Sequence, residues 1–177
     1  VVRPLNYPPG TPGKGFWRLE VGGESLLFVQ VMGRIFMDPL DDPFRALDRL
    51  LEEEKADYVL VEVHAEATSE KMALAHYLDG RASAVLGTHT HVPTADARIL
   101  PRGTAYVSDV GMVGAEGGLQ GYDPAFLVAA FRLRLPPKGL RLAYAAGPAR
   151  VSYVFLELEG ARAKAIVHAS FVEEALY

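Results

Sequence analysis

Apolar positions along this chain repeat first with the periods of strands and helices in turn, then with the period of strands alone, and that switch outlines the fold. Residues 25–31, Ser-Leu-Leu-Phe-Val-Gln-Val, form a mostly apolar run between Gly22-Gly23 and Gly33, the length of a buried strand. Asp42-Pro43 then supplies an N-cap and a first-turn proline. Phe44, Leu47, Leu50 and Leu51 follow at helical spacing, with Glu52, Glu53 and Glu54 as a solvated face. A second strand over 57–63 ends at His64, and Ser69 is placed to cap a helix running to Leu78. A third strand, 82–86, is broken by Gly87 and leads into Thr88-His89-Thr90-His91. A fourth covers 104–108. A Gly-rich loop from Gly111 to Gly121 then reaches Asp123-Pro124 and a helix over 125–135. After Pro136-Pro137 only strands are predicted, at 141–145, 150–159 and 164–172, with Glu159-Gly160-Ala161 as a hairpin turn. The pattern predicts an α/β fold with antiparallel strands at its C-terminus. No repeat, heptad or low-complexity linker divides residues 1–177, so one domain is expected.

Composition narrows the chemistry. With 177 residues and no Cys, the chain has no thiolate nucleophile, disulfide or iron–sulfur ligand, and any metal must use His, carboxylate or amide groups. A formal charge of −4 lacks the footprint of a long nucleic-acid binder, though it leaves room for one small nucleotide. No run reaches the roughly 18 apolar residues of a membrane span, and no leader pattern opens the chain, which reads as cytoplasmic. One Asn, two Gln and no Cys, with Arg outnumbering Lys, fit a thermophilic source.

Of the five histidines, His64, His89 and His91 follow predicted strands, where ligands gather in open α/β sheets. An extended His-x-His would turn both rings to one side, a spacing suited to a metal such as Fe, Mn, Zn, Co or Ni. His76, within a helix, and His168, on a C-terminal strand, read as structural. Glu66 and Asp109 stand near enough in sequence to hydrogen-bond a ligating His and fix its tautomer. Asp79-Gly80-Arg81 reads as a helix-ending turn with an ion pair. Gly10-Thr11-Pro12-Gly13-Lys14-Gly15 lacks the spacing and Ser/Thr of a P-loop, and no Gly-x-Ser-x-Gly elbow occurs.

Longer stretches carry a resemblance. His64-Ala65-Glu66-Ala67-Thr68-Ser69-Glu70-Lys71, Asp79-Gly80-Arg81 through His89-Thr90-His91, Arg3-Pro4-Leu5-Asn6-Tyr7-Pro8, Pro39 to Phe44 and Asp109-Val110-Gly111-Met112 are similar to the YmdB-type metallophosphoesterases. These are bacterial 2′,3′-cyclic-nucleotide phosphodiesterases related to calcineurin-like enzymes. The resemblance implies a metallophosphoesterase-like α/β sandwich that hydrolyses 2′,3′-cyclic nucleotides, with 3′,5′-cyclic AMP as a further candidate. His64, His89 and His91 would be ligands of a site for two divalent ions, Fe or Mn first, then Mg or Zn. The family's Gly-Glu-Asn and Gly-Asn-His segments, with their bridging carboxylate and proton-donating His, have no counterpart before His64. The chain therefore resembles the C-terminal two thirds of such an enzyme, and a homo-oligomer follows from the apolar surface such a piece would expose. The alternative is a metal-binding or structural module that is inactive without the remaining segment.

Overall fold

The computed structural model describes residues 1–173. Its centre is a six-stranded sheet ordered β1-β2-β3-β4-β6-β5, made from β1 (Phe16–Val21), β2 (Glu24–Met32), β3 (Tyr58–His64), β4 (Ala84–Thr88), β5 (Arg98–Ile99) and β6 (Ala105–Val107). β2, β3, β4 and β6 run parallel, while β1 and β5 pair antiparallel at the two edges. Parallel strands need crossovers, and α1 (Pro43–Glu53) and α2 (Thr68–Leu78) supply two of them.

Both helices cover the same sheet face. Leu27, Val29, Val31, Val59, Val61 and Val63 alternate along β2 and β3 and pack with Leu47 and Leu50 of α1 and Leu74 and Leu78 of α2, all buried. At roughly 1.5–3 kcal/mol for each large buried aliphatic side chain, this layer is the main stabilising element. The other face meets a second sheet of β7 (Val113–Ala115), β8 (Ala149–Glu159) and β9 (Arg162–Glu173), through Leu60, Leu86, Ala84 and Ala105 against Leu156, Leu158, Ala163 and Ile166. The α/β centre and the antiparallel C-terminal hairpin thus agree with the sequence pattern.

Several elements differ from it: the short strands β5 and β7 lie where only loops are expected, β7 inside the Gly111–Gly121 loop. β1 also lies where no strand was expected: Trp17, Leu19 and Val21 alternate with Arg18 and Glu20, but all five are exposed in this edge strand, which Gly22-Gly23 turns back onto β2. The strand expected at 141–145 is absent apart from a bridge between Tyr122 and Tyr144. Leu142 and Tyr144 are 50% and 82% exposed and have no sheet to bury against. Ser69 does not cap α2: the N-cap is Ala67, without a side-chain bond, and Ser69 lies in the first turn. α3 (Pro124–Leu133) starts as expected, with Asp123 accepting from the Ala125 N–H, yet none of its residues is buried.

Candidate functional site

The parallel register sets His64, at the end of β3, beside Thr88, at the end of β4, so both chains leave the sheet at the same edge. That is the carboxyl edge where ligand sites of such sheets form. His64 Nδ1 lies 3.1 Å from Thr88 Oγ1, and the Thr88 hydroxyl donates to Glu62 Oε1 at 2.8 Å. An ionised carboxylate only accepts, so Thr88 spends its hydrogen on Glu62 and receives one from His64 Nδ1. The Nε2 of His64 is then the bare nitrogen. It faces His89 Nδ1 at 3.0 Å; the hydrogen of a neutral His89 lies either on Nδ1, toward His64, or on Nε2, toward Glu66, and the second tautomer leaves both facing nitrogens bare for a cation. The outer nitrogen of His89, Nε2, lies 3.0 Å from Glu66 Oε2. Glu62, Thr88, His64, His89 and Glu66 form one continuous file.

Burial first, and the neighbouring His89 second, hold the His64 imidazole below its ordinary pKa. The neutral ring is the form that ligates metals. Two nitrogens 3.0 Å apart also match the spacing of adjacent ligands each about 2.1 Å from one ion. The donor chemistry of His64 and His89 therefore suits a divalent cation. Among the described residues, however, no three His, Cys, Asp or Glu side chains converge as a ready metal-binding group.

His91 is the reason. The His-x-His segment was expected to be extended with both rings on one side, but His89 has φ 104° and His91 has φ 65°. Both lie in the left-handed region, where a non-glycine residue costs about 1–3 kcal/mol and persists only if its surroundings hold it. The turn sends His91 away from His64, so that its Nδ1 lies 3.4 Å from the Gln120 carbonyl oxygen.

Of the two carboxylates singled out, Glu66 does contact a site histidine. Asp109 does not: it accepts the Thr90 N–H at 2.9 Å, between the two histidines, and pairs with Lys71 Nζ at 3.0 Å. Burial opposes ionisation of Asp109, yet hydrogen bonds from the Gly111 and Thr90 N–H groups and from Lys71 keep its carboxyl below the usual range. His76 is exposed and lies outside this file. His168 spans Thr94 O at 3.0 Å and Val110 O at 2.8 Å, fastening β9 to the two loops beside the site. Asp79 ends α2 and accepts the Arg102 N–H, while Arg81 pairs at 2.7 Å with Asp48 of α1 instead of with Asp79.

Sequence reading missed Glu62, Thr88 and Lys71. The first two carried a signal, since Glu62 interrupts an apolar strand two residues before His64 and Thr88 ends the next strand.

A strained histidine turn at the carboxyl edge of a parallel sheet defines an α/β protein with a donor set for a hard or borderline cation. The model of the YmdB-like proteins matches residues 1–169, and the chain belongs to that family. It is 47% identical over 168 residues to the 2′,3′-cyclic-nucleotide 2′-phosphodiesterase of Bacillus subtilis, covering 94% of this chain and 62% of that protein. A crystal structure of a hypothetical protein from Thermus thermophilus is 70% identical, with TM-score 0.93 over 98% of this chain and 68% of that one. A second, of a protein described as a novel phosphatase from Mycoplasma pneumoniae, is 30% identical with TM-score 0.88 over 99% of this chain and 64% of that one. The chain thus spans about six tenths of the length of the curated relative.

Proposed function

We propose that this chain carries the histidine side of the active site of a metal-dependent phosphodiesterase acting on 2′,3′-cyclic nucleotides, with 3′,5′-cyclic AMP as a secondary substrate. The contact of the bare His64 Nε2 with His89, at the strand ends, carries the reading. The name of the B. subtilis relative supports the substrate class.

His64 and His89 would hold divalent metal, with His91 as the third ligand implied by the resemblance, and the proposed complement is two ions, Fe or Mn before Mg or Zn. When bound, such ions supply Lewis acidity toward phosphoryl oxygens and lower the pKa of water. The chain's own residues orient the donors. Glu62, through Thr88, fixes the His64 tautomer so that Nε2 faces the site, and Glu66 steadies His89 from its outer nitrogen. The net charge of −4 favours a small nucleotide over a long polyanion.

We read the protein as cytoplasmic, in keeping with helices among the described residues too short or too polar to cross a membrane. A homo-oligomer is supported by the exposed Phe131 and Leu133 of α3 and Trp17 of β1, and a thermophilic source by likeness to the Thermus protein. One observation favours a second reading, a metal-binding module without turnover: no three ligands converge among the described residues.

The deciding assay follows nucleoside monophosphate release from 2′,3′-cyclic AMP with Mn(II) or Fe(II). The 177-residue chain is compared with the same chain joined to the remaining length of the B. subtilis relative, and with that fusion carrying His89→Ala. Slow turnover alone, fast turnover in the fusion and loss in the variant support the proposal. Binding of metal with no turnover in any form supports the second reading.

A further inference from the structure

We propose that the buried Lys71–Asp109 ion pair is the positioning device of the site, holding the His89–Thr90–His91 turn in its left-handed conformation so that His89 faces His64. The functional consequence rests on the reading of these histidines as ligands, whereas the conformational claim stands on the geometry alone.

Lys71 and Asp109 are each only 1% exposed along their side chains, although a lysine on a surface helix usually carries its ammonium to water. This one runs inward from α2, and the sheet makes way for it. A side chain at Gly87 of β4 would overlap the Ser108 carbonyl and lie 2.9 Å from Lys71 Cδ. The ammonium meets Asp109 Oδ2 at 3.0 Å, the same oxygen that receives the Thr90 N–H at 2.9 Å. The other carboxylate oxygen takes the Gly111 N–H at 2.9 Å. Asp109 therefore grips the turn at its middle residue, flanked by His89 at φ 104° and His91 at φ 65°.

A buried ion pair is weak evidence for stability, because desolvation offsets its attraction, and its better attested use is to select one conformation. Strained backbone needs such over-determination. If Lys71 loses its charge, Asp109 is left as a buried anion with two N–H partners, its hold on Thr90 weakens, and the two histidines can relax toward ordinary φ.

The test uses the 177-residue chain with Lys71→Met and with the double variant Lys71→Met/Asp109→Asn, which leaves no buried unpaired charge if the single variant fails to fold. Three readouts are taken: amide exchange at Thr90 in the unmodified chain, ring ¹⁵N shifts of His64 and His89 without metal, and Mn(II) affinity. The account expects Thr90 to exchange at least a hundredfold more slowly than an open loop amide. In the folded variants it expects the shifts that mark the His64–His89 hydrogen bond to vanish, and Mn(II) affinity to fall at least tenfold. Rapid exchange at Thr90, or folded variants that lose only melting temperature while ring shifts and affinity stay, overturns it. An unmodified chain that binds no Mn(II) contradicts the functional reading instead, since exchange and ring shifts still decide the positioning claim.

Discussion

Any hydrogen between His64 Nε2 and His89 Nδ1, 3.0 Å apart, is supplied by His89, because Thr88 has given its own hydrogen to Glu62 and takes one from the far side of the His64 ring, and an ion held by both nitrogens would take that hydrogen's place. Removing the hydroxyl while keeping the shape tests this relay. Thr88→Val is expected to cost under about 1.5 kcal/mol in stability and to weaken Mn(II) binding about 10- to 100-fold, by calorimetric titration. Unchanged affinity would show that the tautomer of His64 is not set by Thr88.

Asp96 gives the loop beside the site an acid limit. Burial opposes its ionisation, but hydrogen bonds from the Ser108 and Thr94 hydroxyls and the Ser108 N–H, with Arg98 nearby, lower its pKa on balance. A carboxyl depressed in the folded state contributes stability that is present above the unfolded value of about 3.9 and lost as pH falls through the folded value. Ser108→Ala is therefore expected to destabilise by about 1–3 kcal/mol at neutral pH, with the gap to the unmodified chain closing below about pH 4. Urea denaturation from pH 7 to pH 3 measures it, and a gap independent of pH would remove the ionised Asp96 from the explanation.

His168 joins Thr94 O and Val110 O, on two different loops, to the C-terminal hairpin. His168→Ala removes the ring that spans both carbonyls and the N–H it gives to one of them, and is expected to cost about 1–3 kcal/mol, with faster amide exchange around Thr94 and Val110. Exchange unchanged at both loops would mean that the hairpin docks without it.

Packing separates the two halves of the molecule. Leu74→Ala, in the fully buried layer between α2 and the sheet, is expected to cost about 2–5 kcal/mol. Phe131→Ser, on the exposed face of α3, should stay within about 0.5 kcal/mol at concentrations where the chain is a monomer, and cost more only where the chain self-associates. Equal losses in urea unfolding of the dilute monomer would show that α3 packs against the rest of the chain.

The strands of the parallel centre and the two crossover helices were legible because Val and Leu runs, the N1 proline of α1 and glycine boundaries mark their borders. β1 was not, since Arg18 and Glu20 make its pattern that of a wet edge, and the Leu142–Tyr144 alternation suggested a strand where the backbone pairs only with the short 121–123 segment, outside either sheet. Within the site, the meeting of His64 with His89 followed from the ends of adjacent strands. The parting of His91 did not, because spacing alone assumes an extended backbone and cannot register a left-handed turn held by a distant carboxylate. Lys71 was invisible for a related reason: a helix pattern assigns lysine to solvent, and only the packing of α2 over Gly87 and Asp109 turns it inward.

The most direct test of the account is the Mn(II) affinity and stoichiometry of the 177-residue chain and its single histidine variants, measured by metal-binding titration and elemental analysis of dialysed protein. The account predicts that His64→Ala and His89→Ala each weaken binding at least tenfold, that His91→Ala weakens it less, and that His76→Ala leaves it unchanged. Equal binding by the unmodified chain, His64→Ala and His89→Ala would contradict the claim that these two rings form the metal-holding edge of the site.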